Sequence, residues 1–252
     1  MAKPEKKSSQ IIYGIHPVLE ALKTDASIEK LFYKKEGNLH ERLKDIRALA
    51  SEKNIPIQYI PEFKLKDMSR DTNHQGVVAQ LSAITYKPLE QTILQIKEQK
   101  ENPVFLMLDG ITDVRNFGAI ARTAECMGID AIIVPSQGSA AANGTAVKVS
   151  AGALYHIPVC RTNHLVDAIM LMQAYGIQSV AVSEKAEMSL YELEADKALC
   201  LIMGAEDKGV SKQVLKRADQ KIRIPMYGKV ESLNVSVAAG IVMSEVVRRR
   251  VE

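Results

Sequence analysis

Three polar clusters, each placed directly after an apolar run, hold the side chains that could do chemistry. The first comprises Asp109, Gly110, Asn116 and, six residues further along the helix, Arg122. The second is MGAEDKG (Met203–Gly209), in which Gly204 permits close backbone approach and Glu206 supplies a carboxylate. The third is IPMYGKVESLNVSVAAGI (Ile224–Ile241), where Ser232 and Asn234 stand at the mouth of a helix whose free N–H groups short polar side chains can cap. A buried helix with polar groups at its N-terminus can hold a small ligand beside a chemical site. Each residue also has a structural explanation. Asn116 reads as an N-cap, Arg122 as a solvated partner of Glu125, and Glu206 as a first-turn carboxylate favoured by a helix dipole. Two amides, a guanidinium and a carboxylate converging from three strand ends are more than a purely structural domain needs.

Several other chemistries are disfavoured. A P-loop needs lysine where Val210 stands, and Lys208 is displaced by two residues. No G-x-G-x-x-G opens the first strand–helix unit, and the five histidines have no metal-ligand spacing, so no metal is expected. Cys126, Cys160 and Cys200 form no CxxC pair, which fits neither a disulfide framework nor a zinc site and suits a reducing cytoplasm.

The elements that position these clusters follow from apolar patterning. PVFLMLDG (Pro103–Gly110) and DAIIVP (Asp130–Pro135) are continuous apolar runs, the mark of strands buried on both faces. Further strands are expected at His156–Cys160, Gln178–Val182, Leu199–Met203 and Ile222–Pro225, with helices between. This predicts a parallel α/β sheet covered on both faces over 103–252, with a ligand site at the carboxyl ends of its strands. Residues 11–84 alternate helices and strands in a smaller α/β sandwich, with a helix from Ile15, strands at Lys30–Lys35, Ile57–Ile60 and Gly76–Ile84, and helices at Leu39–Asn54 and Phe63–Met68. Residues 85–102 read as a partly helical linker and 1–10 as a disordered basic tail without the apolar core of a secretory signal.

Length and composition allow two modest soluble domains: 252 residues, 46% hydrophobic, 25% charged, no Trp and no apolar run long enough for a membrane span. The net charge of +3 is small, but residues 1–100 carry 17 Lys and Arg against 13 Asp and Glu, so the first domain is the one suited to a polyanion.

Together the three clusters resemble the motifs of the SpoU (TrmH-like) branch of the SPOUT RNA methyltransferases, which methylate ribose 2′-hydroxyls. DGITDVRNFGAIARTAECMG is similar to the first motif, IMGAEDKGV to the second and IPMYGKVESLNVSVAAGI to the third; NGTAVKVSAGALYHIPV (Asn143–Val159) also matches in type and place. GIHPVLEAL (Gly14–Leu22) and HQGVVA (His74–Ala79) resemble the small ribosomal-protein-like RNA-binding domain of one subgroup, which includes a methyltransferase for a guanosine in large-subunit ribosomal RNA. The resemblance implies a deep trefoil knot and a homodimer with each site built at the subunit interface. It implies S-adenosylmethionine cradled around Met203, Gly204, Ile224, Met226 and Leu233. It also implies a transfer site lined by Asn116, Arg122, Glu206, Asn234 and Ser232 or Ser236. On that basis Arg122 contacts a phosphate beside the target ribose, since a guanidinium does not serve as a base, and the proton acceptor stays open, Glu206 included. The alternatives are a tRNA ribose methyltransferase, a non-catalytic RNA-binding accessory protein and a flavodoxin-like small-molecule binder.

Overall fold

The structure is a computed structural model that describes residues 11–24, 26–35, 41–70, 73–229 and 232–251. The expected tail, 1–10, lies outside the described residues. The chain divides into two compact units, the second beginning at Tyr86.

The first unit runs β1 (Ile11–Tyr13), α1 (Ile15–Lys23), β2 (Ile28–Lys34), α2 (Glu41–Glu52), β3 (Ile57–Ile60), α3 (Glu62–Ser69) and β4 (Val77–Leu81). Its sheet has the order β1-β4-β2-β3, with β2 and β3 parallel and the other pairs antiparallel. Alternation along β4 sends Val77 and Ala79 into a core with Val18, Leu22 and Ile46 of α1 and α2, and Val78 to the opposite face beside Leu65 of α3. Helical spacing revealed α1 but not β1. Gly14, at φ +88°, turns the chain from strand to helix, and the Gln75 Oε1 accepts from the Ile15 N–H at 2.8 Å.

The second unit continues with α4 (Leu89–Gln99), β5 (Val104–Asp109), α5 (Val114–Cys126), β6 (Ala131–Pro135), α6 (Gly144–Val149), β7 (Val159–Thr162), α7 (Leu165–Ala174) and β8 (Gln178–Val182). It ends with β9 (Met188–Ser189), β10 (Leu199–Gly204), α8 (Lys212–Arg217), β11 (Gln220–Arg223) and α9 (Val235–Val251). Its seven strands lie in the order β7-β6-β5-β10-β8-β11-β9 and every pair is parallel. The expected strands are present, but the one expected at His156–Cys160 starts only at Val159, because a short 3₁₀ turn at Ala153–Tyr155 ends on His156. β9, only two residues long, is additional. Phe105, Met107, Cys200 and Ile202 face a core shared with α4, α7 and α8. The alternate residues Leu106, Leu108, Leu201 and Met203 are equally buried on the other face, where α9 packs on β10 and α5. The stretch expected as a linker needs correcting. Leu89 and Ile93 of α4 are buried in this core, so 86–102 is part of the second unit.

Asp219 ties the entry of β11 to its neighbours. Its Oδ2 accepts from the Ser179 N–H at 2.8 Å and the Ser179 hydroxyl at 2.6 Å, and its Oδ1 from Gln173 Nε2 at 2.8 Å. Burial opposes ionisation, but the bonds from Ser179 and Gln173, with Arg217 nearby, outweigh it and hold the carboxyl below its usual range. A depressed folded-state value means stability that is present above the unfolded carboxyl's pKa of about 4 and lost as pH falls through the folded one. Asp219→Asn should therefore cost about 1–2 kcal/mol at neutral pH, a figure kept low for its partial exposure. It should also flatten the acid side of the Tm-versus-pH curve. Unchanged thermal melts across pH 3–7 would remove this role.

Candidate active site

The register of the two central strands builds the site. β5 and β10 pair in step to their last residues, so Gly204 lies beside Asp109 and the first two sequence clusters meet. Gly110, at φ +77°, then turns the chain away, and a Cβ there would be 3.4 Å from Ala205 Cβ. Asp109 Oδ2 accepts from the Ser211 N–H at 2.7 Å and so fixes the far end of the second loop. Within that loop Ala205 and Gly209 exchange backbone bonds of 3.1 and 2.7 Å, closing a tight turn that presents Glu206. Glu206 is thus a turn residue rather than a first-turn helix carboxylate.

Asp113, not Asn116, caps α5. Its Oδ1 accepts from the Arg115 N–H at 2.7 Å and the Asn116 N–H at 2.9 Å. Those two bonds, the one from Asn116 larger in effect, hold the Asp113 carboxyl below its ordinary range. An aspartate three residues before Asn116 is the usual N-cap signal, and it was there to be read in ITDVRN. The consequence is chemical, because the Asn116 side chain is released from capping.

Asn116, Glu206 and Asn234 form one cluster. Asn116 Nδ2 donates to Glu206 Oε2 at 3.5 Å; Asn234 Nδ2 donates to Asn116 Oδ1 at 3.2 Å and Glu206 Oε1 at 3.4 Å. Asn234 Oδ1 accepts from the Ser236 N–H at 2.9 Å and the Ser236 hydroxyl at 2.6 Å, which both caps α9 and fixes the amide. The bonds that fix Asn234 are short, whereas those to Glu206 are at the long limit, so a ligand hydroxyl can replace them at little cost. The cluster borders a cleft of about 460 Å³ lined by Gly110–Asp113, Asn116, Ala205–Asp207 and Val235. A carboxylate flanked by two oriented amides can hold a hydroxyl and accept its proton.

The other expected site residues fall elsewhere. Arg122 is exposed on α5 and has no part in this cluster among the described residues. Six residues along a helix turn a side chain through about 240° and carry it about 9 Å along the axis, away from Asn116. Ser232 is exposed just before Asn234 and is likewise outside the cluster. Met203 and Gly204 are buried at the end of β10; Ile224 and Leu233 are half-buried and Met226 exposed on the segment between β11 and α9. Within that segment the N–H groups of Ile224, Met226 and Leu233 have no protein partner among the described residues. Unused backbone donors beside Ile224, Met226 and Leu233 suit a ligand that is part apolar and part hydrogen-bonding. Among the described residues no group of three or more His, Cys, Asp or Glu side chains could hold a metal ion.

Comparison with known proteins follows the same division of the chain. Residues 103–244 match the SpoU rRNA methylase family, and residues 11–87 match the RNA 2′-O ribose methyltransferase substrate binding domain. A Bacillus subtilis (strain 168) protein, assigned to the TrmH family of tRNA/rRNA methyltransferases, is 37% identical over 239 residues, 95% of each chain. Among solved structures, an S-adenosylmethionine-bound rRNA methyltransferase of Sinorhizobium meliloti superposes with a TM-score of 0.60 at 26% identity. That likeness covers 94% of this chain and 86% of the other. The TrmH/SpoU tRNA modifying enzyme of A. aeolicus gives a TM-score of 0.56 at 29% identity, over 64% of this chain and 84% of its own.

Proposed function

The chain belongs to the SpoU family of RNA 2′-O-ribose methyltransferases, and we propose that its substrate is large-subunit ribosomal RNA, methylated on a guanosine ribose with S-adenosylmethionine as donor. The observation that carries the proposal is the Asn116–Glu206–Asn234 cluster at the joined ends of β5 and β10, together with the N–H groups of Ile224, Met226 and Leu233 that have no protein partner among the described residues. The ribosomal target is favoured because the likeness to the Sinorhizobium rRNA enzyme runs through both units, whereas the tRNA enzyme matches under two thirds of the chain.

Met203, Gly204, Ile224, Met226 and Leu233 would hold the cofactor, which supplies a methyl group already activated on a positively charged sulfur. The protein's task is then alignment and proton removal. Asn116 and Asn234 hold the ribose hydroxyl through their amides, Ser236 keeps Asn234 in its rotamer, and Glu206 accepts the hydroxyl proton. Ser232 lies on the approach to Asn234 and binds the ribose rather than the cluster. Arg122 of the partner subunit neutralises the adjoining phosphate, a role that suits its separation from its own chain's cluster and requires a homodimer. β11 lies between β8 and β9, so residues 183–198 pass around it before the chain returns to β10, a path that supports the trefoil knot. Among the described residues no helix is long and apolar enough to cross a membrane, and we place the enzyme in the cytoplasm with its RNA.

The test is methyl transfer from labelled S-adenosylmethionine to bulk ribosomal RNA and bulk tRNA, offered separately, with the product mapped by cleavage sensitive to ribose methylation. Label in large-subunit RNA is expected, and Glu206→Gln should lower kcat about 10²–10⁴-fold while leaving cofactor affinity unchanged. Label in tRNA alone would replace the substrate, and absence of cofactor binding would end the reading.

A further inference from the structure

A second cavity, about 790 Å³ in volume, opens at the carboxyl ends of β5, β6 and β7. Gly110 lines both this cavity and the cleft that holds Asn116 and Glu206, so the two spaces adjoin at a residue without a side chain. No member of the Asn116–Glu206–Asn234 cluster lines it, and neither do the residues assigned to the cofactor. Its size is that of a site enclosing a small organic molecule.

Three kinds of wall bear on a ligand, beside the carboxylates of Asp109 and Asp167, which also line the cavity. Pro135, Leu165, Val166 and Val214 provide apolar surface. Gln137, Asn163 and Gln213 bring carboxamides, each able to donate and accept hydrogen bonds. Lys216 and Arg217 add two cations; neither is in a salt bridge among the described residues, though Arg217 also lies near the Asp219 carboxylate. Apolar walls suit the flat face of a nucleobase, carboxamides its mixed donor–acceptor edge, and the two cations a phosphate. A solvated protein surface explains the cations alone, but not their combination with an apolar-floored cavity one residue from the reaction cluster.

We propose that this cavity receives the base of the nucleotide being methylated, unstacked from its neighbours, with Lys216 and Arg217 on a flanking phosphate. The inference rests on the RNA ribose methyltransferase reading above. Covalent structure supplies the link: the ribose carbon bearing the 2′-hydroxyl is bonded to the carbon bearing the base. A hydroxyl held by Asn116 and Asn234 therefore puts its own base in an adjoining compartment, and Gly110 is the residue the two cavities share. Extrusion would favour unpaired nucleotides, because a base in a duplex must first give up its stacking and pairing.

The test has two arms. In the first, the homodimer is titrated with AMP, GMP, CMP and UMP while the ¹⁵N side-chain amide resonances of Gln137, Asn163 and Gln213 are followed. At least one monophosphate should shift them, and Lys216→Ala/Arg217→Ala should weaken that binding about tenfold or more. In the second, Gln213→Trp fills the cavity from an exposed position on α8, in a chain that has no other tryptophan. Its S-adenosylmethionine affinity should stay within about twofold of wild type while kcat on the accepted RNA falls at least about tenfold. Wild-type kcat in Gln213→Trp, or monophosphates that leave all three amides unmoved, would overturn the proposal. So would loss of S-adenosylmethionine binding in that variant, which would make the cavity the cofactor's. If wild type methylates no RNA yet the monophosphates shift the amides, the methyltransferase reading fails while the nucleotide site stands.

Discussion

Gly204→Ala should abolish S-adenosylmethionine binding and methyl transfer, and lower Tm by about 5–10 °C. A Cβ at this position would be 2.0 Å from Gly209 C, 2.0 Å from Val210 N and 2.4 Å from Gly209 O. These are backbone atoms, so no rotamer change relieves the collision; the Ala205–Gly209 turn or the end of β10 must shift. β10 is held in step with β5 and β8 on either side, and it is the turn that gives way. The turn's two backbone bonds and the Ser211–Asp109 bond are then strained or lost, and Glu206 leaves its amide partners. Gly209→Ala is the control for the same loop. Gly209 has φ +63°, but a Cβ there meets nothing within 4 Å, so the cost is only the left-handed backbone, about 1 kcal/mol. Calorimetric titration with the cofactor and thermal melts of both variants decide the matter. A Gly204→Ala enzyme that binds cofactor like wild type would show that the loop is not the rigid cradle described.

The two glycines also mark what was legible in the chain and what was not. Close approach at Gly204 and the burial of β5 and β10 were readable, because a continuous apolar run ending in glycine has few other meanings. The strand order was not. Periodicity identifies elements without ordering them, and only the observed pairing of Gly204 with Asp109 explains why the first two clusters meet. The stretch 86–102 misled for a related reason. α4 buries Leu89 and Ile93 and leaves most of its surface polar, so alone it has the composition of a solvated linker. Asp113 and Asn116 carry the same capping signal three residues apart, so residue type alone does not say which of them starts α5. The reaction cluster was readable as residue types, and so was the turn of Arg122 away from Asn116, since six helical residues rotate a side chain through about 240°. The meeting of Asn116 with Glu206 and Asn234 was not, because it depends on the pairing of β5 with β10.

Mixing two inactive variants should restore activity if that second copy completes the site. Arg122→Ala and Asn234→Ala are each expected to fall at least about 10²-fold in kcat, the first by losing charge beside the phosphate, the second by losing alignment. In a mixed dimer with sites shared across a two-fold axis, one site receives Asn234 from the Arg122→Ala chain and Arg122 from the other. It is then wild type in both residues, while the second site carries both losses. Random reassortment makes half the dimers mixed, so about a quarter of the wild-type sites should return. If Arg122 serves its own chain's cluster, every site in every dimer keeps one lesion and nothing is restored. Helix geometry argues for the first outcome, because Arg122 is turned away from Asn116 and stands exposed on α5, the helix that packs against α9. The same mixture measured for cofactor affinity should show no change, since neither lesion replaces Gly204, Ile224 or Leu233. Recovery in kcat alone would assign Arg122 to the neighbouring subunit's chemistry rather than to its fold.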